Sequence, residues 1–235
     1  MPAYAPLSAT VRRHSHRHAR SPLVKSKRFD HRNAADDMAL FAKHFLETRL
    51  GGYRKDMQIC LTPVASPGRR GITHAYFAAL GASCGFLEYM AALFSGHVNG
   101  VGWQQVAAWT ERFMPQPDYD RETTRIFFCA FRHSVAHRGI ATGIWVDRKM
   151  TPHNRITWKL LANSRRPACT LVAEKGTLVK DPPWPCKYTH RMHIHLKGLE
   201  LDLAIALPRY VSAIATEPKL LEKFSSCMRQ LYPTS

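Results

Sequence analysis

The spacing of apolar residues divides the chain into a helical part and a β-rich part. Between residues 33 and 140 the apolar positions recur every three or four residues, which predicts amphipathic helices. Four helices are expected: one from Asn33 that ends at Gly51-Gly52, and others over 73–94, 103–114 and 119–139. Residues 53–72 predict a long loop around a short strand, MQICL.

The apolar period changes to two after residue 140. Alternation, together with β-branched and aromatic residues, predicts strands at 141–147, 155–161, 168–174 and 187–196. Helical spacing returns from Gly198 and continues to a last helix around 220–231. The expected fold class is therefore mainly α (α+β), a helical bundle with a small antiparallel sheet inserted before C-terminal helices. One domain, 33–235, is then made of the bundle (33–140), a β-rich basic segment (141–197) and the C-terminal helices (198–235).

The net charge is strongly positive and unevenly distributed. With 34 Lys and Arg against 17 Asp and Glu, the formal charge is +17. Residues 1–32 hold +7 and residues 148–197 hold +9, whereas 33–147 hold +1 and 198–235 hold zero. A basic surplus confined to two segments favours a polyanionic partner such as nucleic acid. No window approaches 18 uninterrupted apolar residues, so no membrane span is expected.

The N-terminal segment and the cysteines give evidence about the cellular compartment of the protein. Residues 1–32 are poor in large apolar residues and predict a disordered His- and Arg-rich tail. This tail also fits an organellar transit peptide or a misassigned start codon, and its three histidines (His14, His16, His18) are not predicted to bind a metal. Six dispersed cysteines without a CxxC pair indicate reduced thiols rather than a zinc ribbon, so we expect a cytoplasmic protein.

The fourth predicted helix carries the candidate chemistry in its sequence RHSVAH, residues 132–137. An Arg and a His five residues apart occur four times in this chain, so the spacing alone is uninformative. Arg132 and His137 are the one such pair on a predicted amphipathic helix, with a polar residue after the Arg and a glycine two residues beyond the His. The alternative is that Arg132 and His137 have no catalytic role and lie at a solvated helix C-terminus, where the helix dipole favours positive side chains.

This segment resembles the signature of the HEPN family (higher eukaryote and prokaryote nucleotide-binding), in which an Arg, a polar residue, variable positions and a His close a long helix. The resemblance covers about residues 33–140. It implies a dimeric helical bundle and, in active members, a metal-independent endoribonuclease of toxin–antitoxin, abortive-infection or CRISPR-related systems. Arg132 and His137 are the implied catalytic residues, with His133 at the polar position. The implied partners are RNA, a second copy of the chain and an antitoxin protein, and no cofactor is implied.

These residue types suit RNA cleavage without a metal. A histidine exchanges protons near neutral pH, and an arginine offers a permanently charged fork to phosphate oxygens. On an ideal helix Arg132 and His137 lie roughly 140° apart around the axis and about 7.5 Å apart along it. One helix holds them awkwardly around one phosphate, so two copies crossing at a two-fold dimer interface are expected to share the site.

Basic residues are interleaved with aromatic ones over 148–197, which is typical of a surface that binds phosphates and stacks on unpaired bases. The alternative is that the tryptophans are core residues and the charges are solvated. The candidate nucleic-acid-binding residues are Arg138, Lys159, Arg165, Arg166, Lys187, Arg191, His193 and His195.

Strand alternation places His193 and His195 on one face, where they could share a metal, with His190 on the opposite face. No Cys, Asp or Glu follows at metal-ligand spacing, and we predict no metal site. Three hypotheses therefore remain: a HEPN-type endoribonuclease, a non-catalytic nucleic-acid- or nucleotide-binding module of the same fold, and a metal-dependent enzyme that uses the strand histidines.

Overall fold

The computed structural model describes residues 35–65, 72–132, 134–135, 143–149, 152–179 and 184–233, all within one unit of the chain, His31–Ser235. Within these ranges six α-helices accompany a two-stranded and a four-stranded sheet. In chain order the elements are α1 (Ala35–Leu61), β1 (Val64–Ala65), β2 (Ile72–Thr73), α2 (Tyr76–Ser95), α3 (Trp103–Phe113), α4 (Arg121–Phe127), a π-helical turn (Phe128–Arg132), β3 (Trp145–Asp147), β4 (Asn154–Leu161), β5 (Cys169–Leu178), β6 (Cys186–His195), α5 (Leu196–Thr216) and α6 (Pro218–Leu231). The mainly helical class with a small sheet is confirmed.

Helix α1 continues through Gly51-Gly52, so the predicted helix end at this pair is wrong. The predicted MQICL strand is wrong for the same reason, because Met57–Leu61 is the last part of α1. One stripe is buried along the whole helix against α2 and α5, namely Met38, Ala42, Leu46, Tyr53 and Met57. Burial of this stripe on both sides of the glycines outweighs their low helix propensity.

Helix α2 is the centre of the bundle, as its apolar sequence predicts. It packs against α1, α3 and α6, and it ends at Gly96 in the left-handed conformation (φ 88°) that glycine adopts without strain. Among the described residues it is the one helix long and apolar enough to cross a membrane. Half of its most apolar window is buried inside the protein.

The four-stranded sheet has the order β3-β4-β6-β5 and is mixed, so the predicted purely antiparallel sheet is wrong. Strands β5 and β6 form an antiparallel pair, and β6 then lies parallel to β4, with Ile156 opposite His190 and Leu161 opposite His195. The two inner strands, β4 and β6, carry the buried Ile156, Met192 and Ile194. The alternation of apolar and polar residues does not predict the order of the strands, because every strand shows the same period of two.

Two buried carboxylates of α5 join the helices to the sheet and its loops. Glu200 accepts a hydrogen bond from Arg54 Nε of α1 (2.8 Å) and pairs with Lys197. Asp202 accepts one from Tyr119 Oη (2.8 Å) and lies 2.7 Å from an Arg166 nitrogen in the loop after β4. Burial raises the pKa of Asp202 above its ordinary value, and these partners offset part of that penalty.

Candidate functional site

The helix that carries the motif begins as predicted but is not α-helical throughout. The Asp120 side chain accepts a hydrogen bond from Thr123 N (2.7 Å) and so caps α4, with Glu122 in the first turn. The helix then widens into the π-helical turn Phe128–Arg132, whose last residue is the motif arginine. The apolar side of this segment, formed by Ile126, Ala130, Phe131 and Val135, is buried, as expected for an amphipathic helix.

Arg132 is held by a carboxylate from α2. Its Nε and one Nη donate to the two oxygens of Glu88, at 2.8 and 2.6 Å, and this pairing raises the pKa of the guanidinium. The two side chains are 33% and 26% exposed. A guanidinium has five N–H groups, so three of those on Arg132 have no partner among the residues that the structure describes. The pair thus fixes the orientation of Arg132 and leaves donors for a phosphate.

The other motif residues, His133, His137 and Arg138, lie outside the described residues. Two residues between them are described: Ser134 and Val135 are helical and buried. Val135 packs on α2, because a Cβ placed on Gly81 would lie 3.2 Å from its Cγ1. The chain is described again from Gly143, whose carbonyl accepts a hydrogen bond from Thr157 Oγ1 of β4 (3.0 Å).

Five of the predicted nucleic-acid-binding residues lie close together and form what we term the basic strand face: Lys159, Arg165, Arg191, His193 and His195. Lys159 is the direct neighbour of His193 across the parallel β4–β6 pair. By strand alternation His193 shares its face with Arg191 and His195. Arg165, in the loop after β4, is exposed and lies within electrostatic range of both histidines.

The surroundings of the two histidines of this face favour their neutral form. Burial, followed by the neighbouring cations, lowers the pKa of His193 and of His195 below its ordinary value. His195 is 4% exposed and its Nδ1 lies 2.5 Å from Asn163 Oδ1. His193 Nε2 is buried without a hydrogen-bond partner among the described residues. The exposed charge of the face therefore comes from its lysine and arginines rather than from these rings.

Arg191 is partly neutralised where it lies. An Nη atom is 2.9 Å from Glu174 Oε1, and the guanidinium also contacts the Tyr188 hydroxyl and stands 5.0 Å from the Tyr188 ring centre. Gly176 makes room for that ring, since a Cβ there would approach Tyr188 Cζ to 2.6 Å. Lys159 and Arg165 are therefore the more available cations of the face.

The other two described candidates lie elsewhere. Arg166 forms the ion pair with buried Asp202 already described, and its side chain is 44% exposed. Lys187 is exposed near the start of β6, six residues before His193, and its carbonyl accepts a hydrogen bond from Arg155 Nε (2.7 Å). Lys187 therefore lies next to Arg155, at the end of the sheet where β4 and β6 begin.

Some aromatic residues of the β-rich part are packed against other residues, as core residues would be, and others are exposed, as a stacking surface would require. Tyr188 is buried, and Trp158 packs edge-on against Phe77 of α2, with ring centres 5.4 Å apart. Trp145 lies beside the Arg125 guanidinium (5.9 Å). Trp184 is 64% exposed and is therefore not a core residue.

Metal-binding groups are sparse in this part of the chain. No cluster of three or more His, Cys, Asp or Glu side chains suited to a metal ion exists among the described residues. All six cysteines are free thiols, three of them buried, as the dispersed spacing predicts. The tail histidines His14, His16 and His18 lie outside the described residues.

Sequence reasoning missed Glu88, although the chain contains a signal for it. Glu88 is the one charged residue in the twenty of α2. A carboxylate on so apolar a helix requires a cationic partner, because an unpaired buried charge is very costly. The partner, Arg132, is 44 residues away, and sequence spacing does not join them.

Comparison of the chain with protein-family models, with curated proteins and with solved structures finds no match. The interpretation of the site therefore depends on its own residues.

Proposed function

We propose that this protein is a metal-independent, HEPN-type endoribonuclease that cleaves single-stranded RNA as a homodimer, in a toxin–antitoxin or defence system. The observation that carries the proposal is the π-helical turn that ends in Arg132. Such turns are rare and often occur at functional sites. Here the turn places a guanidinium that Glu88 orients by two hydrogen bonds, with further N–H groups left for a phosphate.

In this proposal the reaction needs one proton carrier and one cation. His137 accepts the proton of the 2′-hydroxyl as that oxygen attacks phosphorus, and a protonated histidine returns a proton to the departing 5′-oxygen. Arg132 stabilises the charge that develops on the phosphoryl oxygens. His133, four residues before His137, orients it or contacts the phosphate. The products are a 2′,3′-cyclic phosphate and a 5′-hydroxyl.

The basic strand face supports the choice of RNA as substrate. Lys159 and Arg165 supply exposed positive charge for phosphates. The residues that flank the motif lie near this sheet, because Val135 packs on α2, Phe77 of α2 contacts Trp158, and Gly143 bonds Thr157. By strand alternation Thr157 is on the same side of β4 as Lys159, whereas Trp158 and α2 are on the opposite side. A strand of RNA bound to the face would therefore pass near Gly143, which follows the motif in the chain.

A second candidate function is a non-catalytic RNA-binding or regulatory module. The Arg132–Glu88 pair favours it, because a carboxylate 2.6 Å from the guanidinium offsets the positive charge that a transition state would use. Both functions use the same surfaces and differ in whether RNA is cut.

The test compares wild type, His137→Ala and a control variant, His44→Ala, on mixed RNA with and without EDTA. His44 is an exposed residue of α1. We expect wild type and His44→Ala to cleave equally in EDTA, and the folded His137→Ala protein to be slower by about 10²- to 10⁴-fold. Binding without cleavage by wild type would support the second function. Activity lost in EDTA would instead indicate a metal enzyme that uses His193 and His195.

A further inference from the structure

At the end of the four-stranded sheet where β4 and β6 begin there is an open cleft of about 640 Å³. Its lining combines two indoles, one guanidinium and aliphatic side chains, contributed by Val146, Arg155, Trp158, Leu178 and Trp184. A lining that is mainly apolar with few polar groups is typical of a site for a flat organic ring.

The residues around this cleft expose unusually large apolar groups. Trp184 is 64% exposed and Val146 is 37% exposed, while Val179, next to Leu178, is 67% exposed. An exposed indole at the mouth of a cleft offers a stacking surface to an incoming ring.

The charged residue that lines the cleft is a cation, Arg155, which favours a ring that carries a nearby anionic group. Arg155 lies at the cleft, where its Nε donates to Lys187 O (2.7 Å) and its other N–H groups have no partner among the described residues. Along β4, Arg155 and Lys159 face the same side of the sheet, about 13 Å apart. A phosphate chain can therefore run from the basic strand face to the cleft over cations at both ends.

We propose that this cleft binds one unpaired nucleobase of the RNA, which stacks on Trp184 while Arg155 meets an adjacent phosphate. The inference rests on the proposed RNA-binding function and goes beyond it, because it makes recognition depend on a base and not only on phosphates. It requires single-stranded RNA, since a paired base cannot enter the cleft.

The test measures binding of a fluorescent 2′-O-methyl RNA dodecamer, which lacks the attacking hydroxyl, and of an abasic strand of the same length. The full-length proteins are wild type, Trp184→Ala, Trp184→Phe and, as control, Ile59→Ala, at a residue of α1 that is 73% exposed and does not line the cleft. We expect Trp184→Ala to weaken dodecamer binding by about tenfold to a hundredfold, Trp184→Phe to restore most of the affinity, and Ile59→Ala to match wild type. The abasic strand should bind wild type and Trp184→Ala equally.

Each other outcome overturns a defined part of this proposal. Dodecamer binding by Trp184→Ala at wild-type strength would overturn the base site and leave the proposed function intact. An equal loss on the abasic strand would show that Trp184 supports the protein surface rather than a base. Failure of wild type to bind either strand would overturn both the site and the proposed RNA-binding function.

Discussion

The buried Arg125 shows how one side chain can hold two elements together through carboxylates in different surroundings. Its guanidinium pairs with Glu122 on its own helix, which is 59% exposed, and with Asp147 of β3, which is 2% exposed. Burial by itself would raise the pKa of Asp147, but hydrogen bonds from Arg125 and Lys149 N outweigh burial and lower it. The stabilisation by Asp147 is therefore present above its ordinary pKa and is lost as the pH falls through the lowered value.

Asp147→Ala and Glu122→Ala form a matched pair for testing this contact. Removing Asp147 leaves a buried guanidinium without its buried partner and should lower the free energy of unfolding by about 3 kcal/mol. Removing exposed Glu122 should cost less than about 1 kcal/mol, because water replaces it. Urea unfolding at pH 7 measures both values. Equal losses would contradict the view that burial decides the strength of each contact.

At the level of elements, α1 contains a local weakness that the packing overcomes. Gly51 and Gly52 lie inside the helix, and a Cβ on either would have no neighbouring atom within 4 Å. Glycine lowers helix stability mainly through the freedom it gives the unfolded chain. Nothing in the surrounding structure therefore requires glycine here.

Gly51→Ala should raise the free energy of unfolding by about 0.5 to 1 kcal/mol, because alanine is the better helix former. The contrasting variant is Gly198→Ala in α5, where an added Cβ would lie 2.5 Å from the Arg165 carbonyl oxygen and force the backbone apart. In both thermal and urea unfolding, the midpoint should rise for Gly51→Ala and fall for Gly198→Ala. Destabilisation by Gly51→Ala would show that the helix depends on a glycine-specific conformation at that position.

Elements governed by neighbours in sequence were predictable, and elements governed by distant packing were not. The Asp120 cap and the Gly96 end follow from local hydrogen bonds and backbone freedom, and both were readable from the sequence. The passage of α1 through its glycines depends on α2 and α5, and the place of β6 beside β4 depends on burial of Met192. Such contacts leave no periodic signal in one chain.

The same division applies to the candidate site. The basic strand face was predictable because alternation within β6 places His193 and His195 together. The orientation of Arg132 was not predictable, because it depends on Glu88, which is 44 residues away in the sequence. It also depends on a π-helical turn, which ideal α-helix geometry does not include. The cleft beside Trp184 could not be predicted either, because the ends of several strands come together to form it.

At the scale of the whole molecule, the proposed activity depends on how many chains build one site. Arg132 and His137 are five residues apart on one helical segment, which favours an arrangement in which Arg132 of one copy acts with His137 of the other. A two-fold dimer then has two such sites, each assembled from both copies. Inactivating each copy at a different residue leaves one of these two sites complete.

Mixing Arg132→Ala with His137→Ala protein should therefore restore cleavage that neither variant shows alone. With free exchange of subunits half of the dimers are mixed, and one of the two sites in each is complete, so about one quarter of the wild-type activity is expected. The measurement is RNA cleavage after co-expression of two differently tagged variants and purification through both tags, which raises the expected value to about one half. Wild type paired with the double variant Arg132→Ala/His137→Ala is the control, since such a mixed dimer has no complete shared site and should be inactive. The reverse result, an active control and an inactive mixture of the single variants, would mean that each site is built within one copy of the chain.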